Sequence, residues 1–204
     1  LSWFFFKNDI WRFPLGSNPN YGGELGNSIV FTDLVPIFAL FFKLFKSFIT
    51  ENFQYFSFWY FICFYLQLFF SFKILKKFTD STTYSLIGSI FFLLSPIFIF
   101  RMNWDPAESG QWILLCTLYM VFFNKIDKPK LPWILLIILS LLINYNYTVV
   151  ILVTYSLLRI FNFFTNKENF FKPAADFFII GTLLLITAYI LGYFKIRLGD
   201  TTGI

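Results

Sequence analysis

Long apolar runs separated by short polar clusters dominate the chain. A membrane-crossing helix needs about 20 apolar residues, with a range of roughly 17–25. Phe53 to Phe72 meets that length, and Lys73, Lys76 and Lys77 close it. Asp80-Ser81-Thr82 then supplies cap residues for a helix over Thr83 to Phe100, which ends at Arg101 and should kink at Pro96. Asp105-Pro106-Ala107-Glu108 reads as the next helix start, with Asp as N-cap, Pro at the first position and Glu completing a capping box. It launches a span over Pro106 to Phe123, followed by the basic loop Asn124 to Lys130. From Pro132 to Phe163 the apolar run is too long for one span, and Asn144-Tyr145-Asn146-Tyr147 divides it. The first part, Pro132 to Ile143, would be about 18 Å long at 1.5 Å per residue. It either sits shallow against its neighbours, or the break lies at membrane depth within protein. The last span is Ala174 to Phe194.

Upstream of these runs lies the longest polar stretch, Arg12 to Ile49. It begins as a Gly/Asn/Pro-rich loop, passes Glu24 and Asp33, and enters a phenylalanine-rich helix. Pro36 interrupts that helix, and Lys43 and Lys46 lie one turn apart in it. Such a segment lies in the interface or dips in and returns, its lysines snorkelling to water. A true span at Ser28 to Ile49 would invert every later loop. Leu1 to Asn8 reads as loop, without the charged start and cleavage site of a signal peptide. The expected fold is all-α and integral to the membrane, with about six hydrophobic helices plus an interfacial or re-entrant helix. Residues 1–52 form an extracytoplasmic loop carrying that helix, and residues 53–204 a transmembrane bundle. The ends, at Leu1 and Gly203-Ile204, read as those of a piece of a longer multi-span protein.

Composition agrees with the pattern. Charged residues make up 13% and apolar residues 58% of the chain, whereas a soluble domain has about 25% charged residues. Too few charges remain to cover a water-facing surface. The net charge of +5 points to membrane orientation and not to nucleic acid, because the lysines sit in short clusters between spans. With Lys73–Thr82, Asn124–Leu131 and Arg159–Asp176 on the cytoplasmic side, that side holds nine basic residues against four acidic ones. The opposite side holds seven of each. Cys63 and Cys116 lie inside apolar runs as small buried hydrophobes. The chain has no histidine, which removes histidine-based zinc sites, haem ligation and catalysis.

This topology gathers Glu24, Asp33, Asp105 and Glu108 at one membrane face, with Arg101, Lys195 and Arg197. Opposed carboxylates and cations at such a face suit a metal ion or a phosphate head group, with Trp104 and Tyr21 around it. Each residue also has a plainer role. Asp33 would cap the helix after Pro36, Asp105 and Glu108 would form the capping box, and Arg101 would anchor a helix end in the interface. Glu24, between glycines, would be a solvated loop residue.

The string FPLGSNPNYGGELGNSIVFTDLVPIFALFFKLF resembles the first extracytoplasmic loop of bacterial multi-span proteins grouped with the GT-C glycosyltransferases. LIGSIFFLLSPIFIFRMNWDPAESGQWILL resembles their next pair of spans, so the likeness covers about Arg12 to Leu115. The resemblance implies a polyprenyl-phosphate-linked sugar donor, an extracytoplasmic acceptor and residence in the bacterial inner membrane among its lipids. It implies a catalytic carboxylate at Asp33 with Glu24 second, phosphate contacts from Arg101 or Arg197, and a divalent cation (Mg or Mn) at Asp105 and Glu108. Two other readings stay open. The polar break at Asn144 to Tyr147 would suit a transporter or flippase, against which no charge is expected deep within a span. A non-catalytic assembly subunit would need no site at all.

Overall fold

The computed structural model describes residues 1–23, 26–123, 130–166 and 171–194. Nine α-helices lie among them, and five of these make up four segments long and apolar enough to cross a membrane. These are α3 (Phe56–Phe78), a broken helix made of α4 (Thr82–Leu93) and α5 (Pro96–Trp104), α8 (Tyr145–Asn166) and α9 (Phe171–Leu191). The chain is therefore a mostly helical, multi-pass membrane protein, with fewer full-length spans among the described residues than the roughly six hydrophobic helices expected. The shortfall falls on α6 (Trp112–Phe123) and α7 (Lys130–Leu141), of 12 residues each. Each would reach only about 18 Å.

Several boundaries move for identifiable reasons. Lys73, Lys76 and Lys77 do not close α3 but ride its last turns, where cations suit the negative end of the helix dipole. Lys76 reaches over to the Asp80 carbonyl at 2.7 Å and tightens the turn into α4. Ser81 caps α4, accepting from the Tyr84 amide at 3.3 Å. Pro96 breaks the span outright at Leu94-Ser95, since it starts α5 as a fresh first-turn residue. The run after Asp105 opens as a single 3-10 turn, Pro106–Ser109, and becomes α-helical only at Trp112. The break near Asn144 is shorter than expected, because α8 already begins at Tyr145. Likewise α9 starts at Phe171, ahead of Ala174.

The amino-terminal region is more ordered than a loop. Residues Ser2–Asn8 form a helix, α1, which buries Trp3 and Phe6 one turn apart. Trp3 Nε1 donates to the Phe53 carbonyl at 2.9 Å. A run of four consecutive aromatic residues carries no helical period, so tertiary packing decides the conformation. The helix expected to be interfacial or re-entrant is α2 (Pro36–Leu44), only nine residues long and thus no span. Lys43 does not snorkel. It is fully buried, with Nζ 3.9 Å from the Phe6 ring centre and 4.8 Å from that of Trp11. Burial holds its ammonium below the ordinary range, at about 8, against the opposing pull of Asp9. The aromatic faces and the Ile10 carbonyl at 3.4 Å supply its contacts.

A two-residue antiparallel pairing, β1 (Ser17–Asn18) with β2 (Asn27–Ser28), closes the loop that follows α1. This loop sits on the carboxy-terminal end of α9 and caps it. The Leu15 amide donates to the Ile190 carbonyl at 2.8 Å, and Ser28 Oγ to the Leu191 carbonyl at 3.1 Å. These bonds satisfy acceptors that every helix end leaves open. Gly192 leaves α9 at φ +91°, and a Cβ there would lie 2.7 Å from Pro14. The last span thus holds the polar loop at one end of the bundle.

Candidate functional site

Asp33 hangs between two fixed points. On one side Thr32 folds back on the 3-10 turn Ile29–Phe31, its Oγ1 donating to the Ile29 carbonyl at 2.9 Å. On the other, Leu34 and Val35 are buried, and the Val35 amide donates to the Tyr55 hydroxyl at 3.2 Å. Burial raises the Tyr55 phenol well above its usual range, so it stays neutral. Asp33 itself is exposed. It does not cap α2: the residue in that position is Val35, and no side chain accepts there. The plainer role considered for Asp33 is therefore not the one it has.

Asp105 does act as a cap, its Oδ1 accepting from the Ala107 amide at 2.9 Å. Three side chains of α3 pin the 3-10 turn that it starts and the end of α5 before it. Trp59 Nε1 donates to the Pro106 carbonyl at 2.7 Å, Tyr60 to the Met102 carbonyl at 2.9 Å, and Cys63 lies 3.5 Å from Ser109 Oγ. Both carboxylates open onto one cavity of about 570 Å³, together with Glu108, Tyr21, Trp104 and the Asn144–Asn146 turn. That volume lies within the range of small-molecule sites, roughly 300–1,000 Å³. Partial burial raises the Asp105 pKa above the ordinary carboxylate value; the Asp33 charge raises it further, while the Ala107 amide and Arg101 oppose.

Glu108 does not complete a capping box. Its side chain forms an ion pair with Arg101, and its carbonyl accepts from the Tyr147 hydroxyl. It also lines a second cavity of about 420 Å³ with Arg101, Ile97, Gln111, Leu114 and Tyr147. Glu108, Asn144 and Asn146 are common to both cavities, which therefore adjoin. The asparagine turn, singled out in the sequence as a helix break, is a wall between two compartments at the loop end.

Of the residues picked out from the sequence, Asp33, Asp105 and Glu108 meet in one cavity and Arg101 stands in the next. Glu24, Lys195 and Arg197 lie outside the described residues. Among the described residues no group of three histidine, cysteine or carboxylate side chains is arranged to hold a metal ion. With Glu108 held by Arg101, Asp33 and Asp105 remain. They suit Mg²⁺ only in the mode where it keeps several waters and shares one or two carboxylates with a substrate's phosphates. Sequence reasoning missed a separate charged pair. Arg159 and Asp176 were assigned to a cytoplasmic loop, yet both lie within spans and are buried.

These features define a multi-pass helical membrane protein with an acidic cavity where its polar loop meets the ends of the spans. The chain belongs to the family described as Domain of unknown function (DUF6311), whose family model matches residues 1–204. No curated protein and no solved structure matches it.

Proposed function

We propose that the protein is a GT-C-like glycosyltransferase of the bacterial inner membrane, moving a sugar from a polyprenyl-phosphate donor to an extracytoplasmic hydroxyl acceptor. The observation that carries this reading is the exposed Asp33 carboxylate facing Asp105 across one cavity. In the proposed step the acceptor oxygen attacks the anomeric carbon from the face opposite the donor phosphate. The new carbon–oxygen bond forms as the bond to the phosphate oxygen breaks, and the configuration inverts. Asp33 takes the acceptor's proton, and the electron pair leaves with the prenyl phosphate. Arg101, with Arg197 as the other candidate, neutralises the charge gathering on that phosphate. Glu24 is the second candidate base. A bound Mg²⁺ or Mn²⁺ at Asp33 and Asp105 would polarise the donor phosphate. Asp33→Asn and Asp33→Ala should both abolish transfer from a short prenyl-phosphate sugar while the protein still inserts normally. Wild-type turnover in either variant removes Asp33 from the reaction.

Transport or flipping of a lipid-linked sugar is the second reading, favoured by the buried Arg159–Asp176 pair within two spans. It predicts that substrate protects a cysteine placed at Asn146 from labelling without being consumed.

A further inference from the structure

The ion pair between Arg101 and Glu108 stands where the two cavities meet. The backbone of Glu108 is held independently of its side chain. Its amide donates to the Asp105 carbonyl at 3.0 Å, and its carbonyl accepts from Tyr147. The carboxylate can therefore swing off Arg101 without disturbing the turn that carries it. Both partners are accessible, with side-chain exposures of 44% for Arg101 and 21% for Glu108. Exchange of the anion on Arg101 thus needs no unfolding, and a partly exposed pair is weakly held.

The second cavity has an exposed apolar lip on a candidate span. Ile97, which lines it, is 66% exposed on α5, and Phe100 and Trp104 on the same helix are similarly open. A ligand reaching Arg101 from this side arrives along an apolar surface and meets a guanidinium. Guanidinium binds carboxylate and phosphate oxygens with the same planar fork of donors. A prenyl chain ending in a phosphate has that combination of an apolar tail and an anionic head.

We propose that Glu108 is a built-in competitor for the phosphate subsite, occupying Arg101 until the phosphate of a prenyl lipid approaching from the bilayer displaces it. It deepens the transferase reading by giving that site a resting state and a side of approach. The displaced Glu108 carboxylate stays on the wall shared with the Asp33 cavity, so loading of one compartment changes the charge facing the other.

The test measures binding alone, with farnesyl phosphate, farnesol and inorganic phosphate titrated against the purified full chain in detergent. Glu108→Gln keeps the shape of the side chain and frees Arg101, so farnesyl phosphate should bind roughly two- to fivefold more tightly than to wild type. Arg101→Gln should weaken it by at least about the same factor, and farnesol binding should move with neither substitution. Equal or weaker binding of farnesyl phosphate by Glu108→Gln overturns the proposal. So does a matching gain for farnesol, or inorganic phosphate binding as tightly as the lipid. The expected order of affinities without any sugar transfer would leave this inference standing and remove the transferase. Transfer with the order absent would do the reverse.

Discussion

Arg159 on α8 and Asp176 on α9 form an ion pair, Nη2 to Oδ2 at 2.9 Å, with side chains only 8% and 2% exposed. Asp176 lies five residues into its helix and Arg159 seven from the end of its own, which is roughly 7–10 Å from the helix ends. Two charges in so apolar a setting are costly apart and tolerable together. Removing one leaves the other uncompensated, a loss of about 3–5 kcal/mol, whereas replacing both by apolar residues is often neutral. Asp176→Asn and Arg159→Leu should each sharply lower the thermal unfolding midpoint in detergent, and the double variant Arg159→Leu/Asp176→Leu should recover most of the loss.

The cavity requires the Asp33 loop and the Asp105 turn to share one side of the bilayer. Single cysteines at Asn27 and Asn103, in a background lacking Cys63 and Cys116, should react with an impermeant maleimide from that side. A cysteine at Asp80, in the α3–α4 turn, should react only from the other. Labelling of Asn27 and Asn103 from different sides would dissolve the site.

Asp105 holds its proton more tightly in the folded protein than in the unfolded chain. Between the two pKa values the native state keeps a proton that the unfolded state has lost, so stability falls as pH rises through that window. Asp33→Asn removes one of the causes. The fall should then come at lower pH and be smaller, read from thermal midpoints measured upward from about pH 4. An unchanged profile would mean that the two carboxyls do not sense each other.

Gly192 combines a left-handed φ with a close approach to Pro14. Gly192→Ala should cost about 1–3 kcal/mol, because a side chain resists that conformation and crowds the loop. Gly181, on the same helix, has open space where a Cβ would stand. Gly181→Ala should be neutral or slightly stabilising, which separates a loop effect from a general effect on α9.

What can be read from the sequence is the solvent and which polar segments share an end of the bundle. The apolar runs marked α3, the α4–α5 span, α8 and α9, and the alternation of basic and mixed loops put Asp33 and Asp105 at the same end. The plainer alternatives were harder to separate. Asp105 before Pro106 looked like a cap and is one, while Asp33 before Pro36 looked similar and is not, because Thr32 and Tyr55 already hold that backbone. Lys43 reads as a snorkelling residue on the sequence pattern of α2 alone, because the aromatic rings that enclose it come from residues 6 and 11, outside that helix. Arg159 and Asp176 were hidden by their position near helix ends, where charged residues usually face water. Only the packing of α8 on α9 shows that they face each other.

The bonds from Leu15 and Ser28 to the end of α9 join segments far apart in the order of synthesis, Ser28 preceding Leu191 by 163 positions. At a ribosome's pace of about 5–20 residues per second, roughly 8–30 s separate the emergence of the two. Through that interval the Asp33 loop lacks its anchor on α9. The Asp33 side of the cavity is therefore tied in place only after the final helix has been made, so the last span to be synthesised completes the geometry of the first polar loop.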